Sequence, residues 1–157
     1  MFASIQHLEV WELFCNRLFW CGFGSWLVAT AIKAAICCSA TRKLDFSYFV
    51  STGGMPSCHS ATVCGLAMGI GYTKGFSSAV CVLAAAFAIV TMFDAATVRH
   101  AAGEHAKVLN AIVSDIRELK LKPRERLKEL LGHTRTEVVC GMAVGVAWAT
   151  FLCWIFD

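Results

Sequence analysis

The stretch Gly53–Tyr72, GGMPSCHSATVCGLAMGIGY, decides how the rest of the chain can fold. It opens with two glycines and a proline, which favour a loop that leads into a helix, and continues as an apolar run rich in alanine and glycine. Gly65 and Gly69 are four residues apart, a spacing that permits close contact between helices. The run is shorter than the ~20 residues of a typical membrane span. We therefore expect it to be tilted, or buried among longer helices.

Three longer apolar segments surround this run, at about residues 19–40, 77–96 and 137–156. The chain has 157 residues, of which 57% are hydrophobic and 16% charged. Soluble domains are nearer to ~45–50% and ~25%, so the excess apolar surface indicates a bilayer. The sequence predicts an all-α, polytopic membrane bundle with about four spanning helices, as a single domain over residues 1–157. The net charge of +3 does not favour a nucleic-acid partner.

The polar segments predict one surface helix and the topology of the bundle. Apolar residues recur at helical spacing within Ala101–Leu119, which indicates an amphipathic helix, and Pro123 precedes a second helical piece, Arg124–Leu131. With four spans, the loops 41–56 and 97–136 lie at the same membrane face. They hold nearly all the lysines and arginines, so the positive-inside rule predicts that this face is cytosolic.

Two histidines each precede or begin an apolar helix at that face. His59 follows Pro56, and His133 lies in the stretch LGHTRTE of residues 131–137. Helix N-termini carry unpaired N–H groups and a positive dipole end, which suit an anion. The sequence therefore predicts a phosphate site in which His59 and His133 converge.

Glu137 has two alternative roles. It lies four residues after His133, so on a helix its carboxylate shares a face with the imidazole and can fix its tautomer. It also completes Thr134-x-x-Glu137, a capping box that would only close the start of a helix.

Cations and N–H donors are expected to hold the phosphoryl oxygens. Lys33 stands out because it lies inside an apolar span, where a charge is expensive. Asp94 can pair with Lys33 or with Arg99. Nine cysteines lack a C-x-x-C pair or ligand spacing, so we expect free thiols, no metal site and no cofactor. The predicted phosphate-binding residues are Lys33, Arg99, Ser57, Gly54 and Arg135.

Taken together, these motifs resemble the divergent membrane branch of the type 2 phosphatidic acid phosphatase and vanadium-dependent haloperoxidase superfamily. The matching stretches are Ser51–Ala61, Phe93–Gly103, Val108–Asn110 and Leu127–Val138, together with Lys33. The resemblance implies phosphate-ester chemistry without a metal. His59 would act as the general acid and His133 as the nucleophile, with Glu137 in the place of the superfamily's orienting aspartate.

We therefore expect an integral membrane protein that hydrolyses a lipid phosphate or pyrophosphate through a phosphohistidine. The alternative is a catalytically inactive binding or assembly protein with the same fold, because the Arg-Pro pair of the superfamily's first signature is absent. Vanadate-dependent halide oxidation is the weakest reading, since its soluble enzymes differ in length and hydropathy. The expected partners are a lipid phosphate and membrane lipids. The lipid, the membrane and the oligomeric state, a homo-oligomer included, are left open.

Overall fold

A computed structural model describes residues 10–41, 54–117 and 132–156 of the chain. Within these ranges the backbone forms six helices, which confirms the predicted all-α class. Three stretches are long and apolar enough to cross a membrane, namely Arg17–Ser39, Ala79–Val113 and Arg135–Ile155. The helices are α1 (Val10–Cys15), α2 (Arg17–Thr41), α3 (Cys58–Lys74), α4 (Ala79–Ala96), α5 (Val98–Arg117) and α6 (Arg135–Ile155).

The four predicted apolar segments correspond to α2, α3, α4 and α6, with ends that differ by a few residues. The predicted amphipathic helix is α5, which begins at Val98 rather than at Ala101. α1 is only six residues long and was not predicted from the sequence. The predicted helical piece Arg124–Leu131 and most of the loop 41–56 lie outside the described residues.

α3 is the central helix and packs against α2, α4 and α6. The predicted role of its glycines is confirmed on the side that faces α2. A Cβ atom at Gly65 would overlap the Ser25 hydroxyl, and one at Gly69 would overlap the Cys21 side chain. The short apolar run is therefore the helix against which the others pack.

A second pair of glycines, Gly141 and Gly145, lets α6 approach α3 from the other side. A Cβ atom at Gly141 would overlap the carbonyl oxygen of Ser57, and one at Gly145 would overlap that of Ala61. Close approach of backbones through small residues is a common way for membrane helices to associate. This contact places the start of α6 directly beside the start of α3.

Small side chains fill the interior, and large apolar side chains lie outside. Leu83 and Phe93 on α4 are 71% and 67% exposed, as expected for a helix that faces lipid tails. All nine cysteines are free thiols, as predicted. The buried apolar residues of the four main helices include Cys21, Ala29, Ala61, Cys64, Ala149 and Cys153.

The helices are linked by different kinds of hydrogen bond at the two ends of the bundle. At one end, which we call the histidine end, the Ser57 N–H donates to the Glu137 carbonyl over 3.0 Å, and the His133 N–H donates to the Ala95 carbonyl over 3.0 Å. At the other, the aromatic end, the Trp148 indole N–H donates to the Trp20 carbonyl over 3.1 Å. The histidine end therefore links α3, α4 and α6 through their backbones.

Candidate functional site

His133 and Glu137 form a close pair at the histidine end. The Nδ1 atom of His133 lies 3.0 Å from Oε2 of Glu137, and the His133 side chain is 6% exposed. A carboxylate on Nδ1 favours the tautomer that carries its proton there. The other ring nitrogen, Nε2, is then the one with a lone pair for nucleophilic attack or proton transfer.

The same carboxylate also caps α6. Oε2 of Glu137 accepts from the Thr134 N–H over 3.1 Å, and the Glu137 N–H donates to the Thr134 hydroxyl over 3.3 Å. The two roles that the sequence offered as alternatives for Glu137 therefore coexist on one oxygen. The cap fixes the carboxylate, and the fixed carboxylate orients the imidazole.

The ring of His59 lies next to that of His133. Their centroids are 6.0 Å apart, with an angle of 61° between the ring planes. His59 is in the first turn of α3, and Ser57 caps that helix by accepting from the Ser60 N–H. The predicted convergence of the two histidines is thus what the structure has. A phosphoryl group is small enough to contact both rings.

The backbone at Gly132, just before α6, has little conformational freedom. Gly132 has φ +93°, and a Cβ atom there would overlap the backbone of Arg99 and His100. His133 follows at once, and its N–H is bonded to the carbonyl of Ala95 at the end of α4. This use of Gly132 and Ala95 was not predicted, since a backbone contact leaves no sequence signal beyond the glycine itself.

Lys33 reaches the loop before α3. It is 5% exposed, and a Cβ atom placed on Gly54 would be 3.1 Å from its Cε. Gly54 also has φ +90°, a backbone conformation that favours glycine. Lys33 therefore extends from its span towards the loop that precedes α3 at the histidine end.

Arg99 is held by an acidic residue across the junction of α4 and α5. Its Nε atom lies 2.8 Å from Oδ2 of Asp94, and both side chains remain partly open, at 51% and 40% exposure. The helices change at Thr97, which makes this contact between residues five apart possible. One of the two pairings that the sequence offered for Asp94 is therefore present.

The charges of these residues act on His59. Partial burial lowers the pKa of His59, and electrostatic interactions with His133, Arg99 and Lys33 lower it further, while Asp94 opposes them. Each of these groups is therefore close enough to His59 to matter electrostatically. Asp94 belongs to this set, although the sequence predicted only an ion pair with Lys33 or Arg99.

Ser57 and Arg135, two of the predicted phosphate-binding residues, have surroundings that differ from those of Lys33 and Arg99. The Ser57 side chain is fully buried, and its hydroxyl accepts from the Ser60 hydroxyl over 3.1 Å as part of the helix cap. Arg135 is exposed at the first position of α6, and it is not among the charges that shift the pKa of His59. In the part of the chain that the structure describes, no three His, Cys, Asp or Glu side chains form a group able to hold a metal ion.

Comparisons with known proteins agree with this architecture. Residues 14–148 match the Divergent PAP2 family. The uncharacterized membrane protein YuiD of Bacillus subtilis (strain 168) is 39% identical over 156 residues, which cover 92% of this chain and 99% of the relative. No solved structure matches the chain.

Proposed function

The chain belongs to the divergent PAP2 family of membrane proteins, and we propose that it is a phosphohydrolase that acts on a lipid phosphate or pyrophosphate. One observation carries the proposal. Two histidine rings lie 6.0 Å apart, and a capped, fixed carboxylate holds the Nδ1 atom of one of them. A nucleophile, its orienting group and a second acid–base group within one site are the parts that covalent catalysis requires.

In the first step, Nε2 of His133 attacks the phosphorus atom of the substrate. The N–P bond forms as the bond to the leaving oxygen breaks, and His59 gives that oxygen a proton. Glu137 stabilises the positive charge that develops on His133, because its carboxylate is already bonded to Nδ1.

In the second step, a water molecule attacks the phosphorus of the phosphohistidine. His59, now neutral, takes the proton of that water, and the N–P bond breaks to release inorganic phosphate. His133 and His59 then return to their starting states. The lowered pKa of His59 favours its neutral form for this step.

Lys33 and Arg99 hold the phosphoryl oxygens in this proposal, helped by the N–H groups of the loop at Gly54. Their positive charges offset the negative charge that builds up in the transition state. Ser57 would contribute through the shape of the helix cap, and Arg135 through its charge at the rim of the site.

A lipid substrate follows from the position of the site. His59 begins α3 and His133 precedes α6, so both lie at the end of the bundle, where a headgroup meets water. An acyl or prenyl tail can remain among the lipid-facing helices while the phosphate enters the site. The distribution of basic residues supports a cytosolic location for this end.

The test is phosphate release by the purified protein in detergent, over a panel of lipid monophosphates and diphosphates. We expect activity that His133→Ala and His59→Ala abolish and that His105→Ala retains, since His105 is exposed on α5 and is not among the groups that shift the pKa of His59. Rapid quenching with a radiolabelled substrate should trap an acid-labile phosphoprotein. Activity that survives both alanine substitutions would exclude the mechanism.

The second candidate is a non-catalytic lipid-binding or assembly protein. The ion pair between Arg99 and Asp94 favours it, because a paired arginine is a weaker phosphate ligand. In that case no lipid phosphate in the panel would be hydrolysed, and yet the His133→Ala variant would still lose binding to a phosphate-bearing lipid.

A further inference from the structure

A cavity of about 490 Å³ opens at the aromatic end, far from the histidines. The 21 residues of α6 separate the two ends by about 30 Å, at 1.5 Å per residue. The cavity lies within the size range of ligand pockets in proteins. Its walls include Phe14, Arg17, Trp20, Trp148, Leu152 and Phe156.

The tryptophans turn apolar surface towards this cavity. The Trp20 indole N–H donates to the Phe14 carbonyl over 2.7 Å, and the Trp148 indole N–H donates to the Trp20 carbonyl over 3.1 Å. Their polar atoms are satisfied by the protein itself, so the rings offer hydrophobic contact area.

Arg17 is the charged group in the wall. Its guanidinium donates to the Phe156 carbonyl and lies over the Phe156 ring, 5.8 Å from the centroid. The other described lining residues are apolar side chains and the Cys15 thiol. The cavity therefore combines an apolar interior with a guanidinium group, whose N–H donors complement an amphiphile with an anionic head.

The depth of the cavity in the membrane indicates where such an amphiphile would come from. Arg17 is the first residue of one candidate span, and Phe156 follows the last residue of another. The cavity is thus at the level where hydrocarbon meets headgroups, a level at which tryptophan is enriched in membrane proteins.

We propose that this cavity binds a phospholipid with an anionic headgroup. The headgroup phosphate lies against Arg17, and the adjoining part of one acyl chain lies among the rings of Trp20, Trp148 and Phe156. The site is separate from the histidine site and does not depend on hydrolysis.

Quenching of tryptophan fluorescence by brominated lipids tests the proposal. The purified protein is placed in phosphatidylcholine bilayers that contain either dibrominated phosphatidylglycerol or dibrominated phosphatidylcholine at equal mole fraction. Phosphatidylglycerol is a phosphodiester, so it probes the cavity without being a substrate of the proposed phosphohydrolase. We expect an affinity ratio of about fivefold in favour of the anionic lipid, equivalent to about 1 kcal/mol for one basic residue.

Arg17→Gln should remove this preference, and Lys74→Gln should keep it. Lys74 is the matched control because it is the exposed basic residue that ends α3 at the same end of the bundle. Arg17→Lys keeps the charge and should retain most of the preference. This variant keeps the proposal testable if Arg17→Gln does not fold. Cys15→Phe, which fills the cavity from its wall, should reduce quenching by both lipids.

Equal quenching by the two lipids in the unaltered protein would overturn the proposal. An equal loss of preference in Arg17→Gln and Lys74→Gln would also overturn it. Preferential quenching that appears only after residues 2–8 are deleted would show that the chain itself fills the cavity. The preference should persist in His133→Ala, so failure of this proposal and failure of the phosphohydrolase proposal are distinguishable.

Discussion

The histidine end and the aromatic end of the bundle are joined by different kinds of contact. Backbone hydrogen bonds connect Ser57 to Glu137 and His133 to Ala95 at the histidine end. Side chains make the corresponding contacts at the aromatic end, where Arg17 and Trp148 bond to backbone carbonyls. Backbone contacts fix positions closely, whereas side chains leave room for a cavity. The difference supports the two proposals, catalysis at the histidine end and lipid binding at the aromatic end.

The largest expected effect separates the two roles of Glu137. Glu137→Gln keeps a side-chain oxygen for the capping box but removes the charge beside His133. We expect kcat to fall on the order of 10³-fold or more, as when a histidine loses its orienting carboxylate. Phosphate release under saturating substrate measures the effect.

Thr134→Ala is the matched control, because it removes only the hydroxyl that accepts from the Glu137 N–H and keeps the backbone N–H that holds the Glu137 carboxylate. It should lower the free energy of unfolding by about 1 kcal/mol and change kcat little. If both substitutions reduce kcat equally, the charge of Glu137 has no role beyond the cap.

The next effect tests whether backbone contact is what organises the histidine end. Gly141→Ala places a Cβ atom against the Ser57 carbonyl oxygen. We expect the free energy of unfolding to fall by about 1–3 kcal/mol, the usual cost of overpacking. Thermal unfolding in detergent measures it.

Ala143→Leu provides the comparison, since Ala143 is exposed on the same helix and has room for a larger side chain. Its melting temperature should match that of the unaltered protein. An unchanged melting temperature in Gly141→Ala would show that α3 and α6 separate without cost.

The sequence predicted the bundle well because length and hydropathy determine which segments span a membrane. It also predicted the contact of Gly65 and Gly69, since glycines four residues apart stand out in a short helix. Gly141 and Gly145 have the same spacing and were missed. Their helix is a full-length span, so nothing in the sequence shows that it needs a close partner.

The site was predicted in part for a similar reason. The order of the spans alone brings His59 and His133 to one face, so their meeting could be foreseen. The roles of single side chains depend on how helices contact one another. The burial of Ser57 follows from the approach of α6, and the contact of Arg99 with Asp94 follows from the break at Thr97. Neither contact has a sequence signal.

A smaller effect compares the two ends directly through a pair of glycines. Gly54 and Gly75 have nearly the same φ, +90° and +87°, and lie at opposite ends. An alanine at either position is strained, but only the one at Gly54 would also press on Lys33. We expect Gly54→Ala to raise KM about fivefold, equivalent to about 1 kcal/mol, and Gly75→Ala to leave KM unchanged. Equal KM values in the two variants would remove Lys33 from the phosphate site.

The smallest effect is a pair of opposite shifts in the pH profile. In the proposed first step His59 must be protonated, so kcat/KM should fall as the pH rises through the pKa of His59. Arg99 lowers that pKa and Asp94 raises it. Arg99→Gln should therefore move the fall to higher pH, and Asp94→Asn should move it to lower pH. Both variants also disturb the ion pair, so loss of the pair alone would move the two profiles in the same direction. Opposite directions are the result that only a direct electrostatic action on His59 produces.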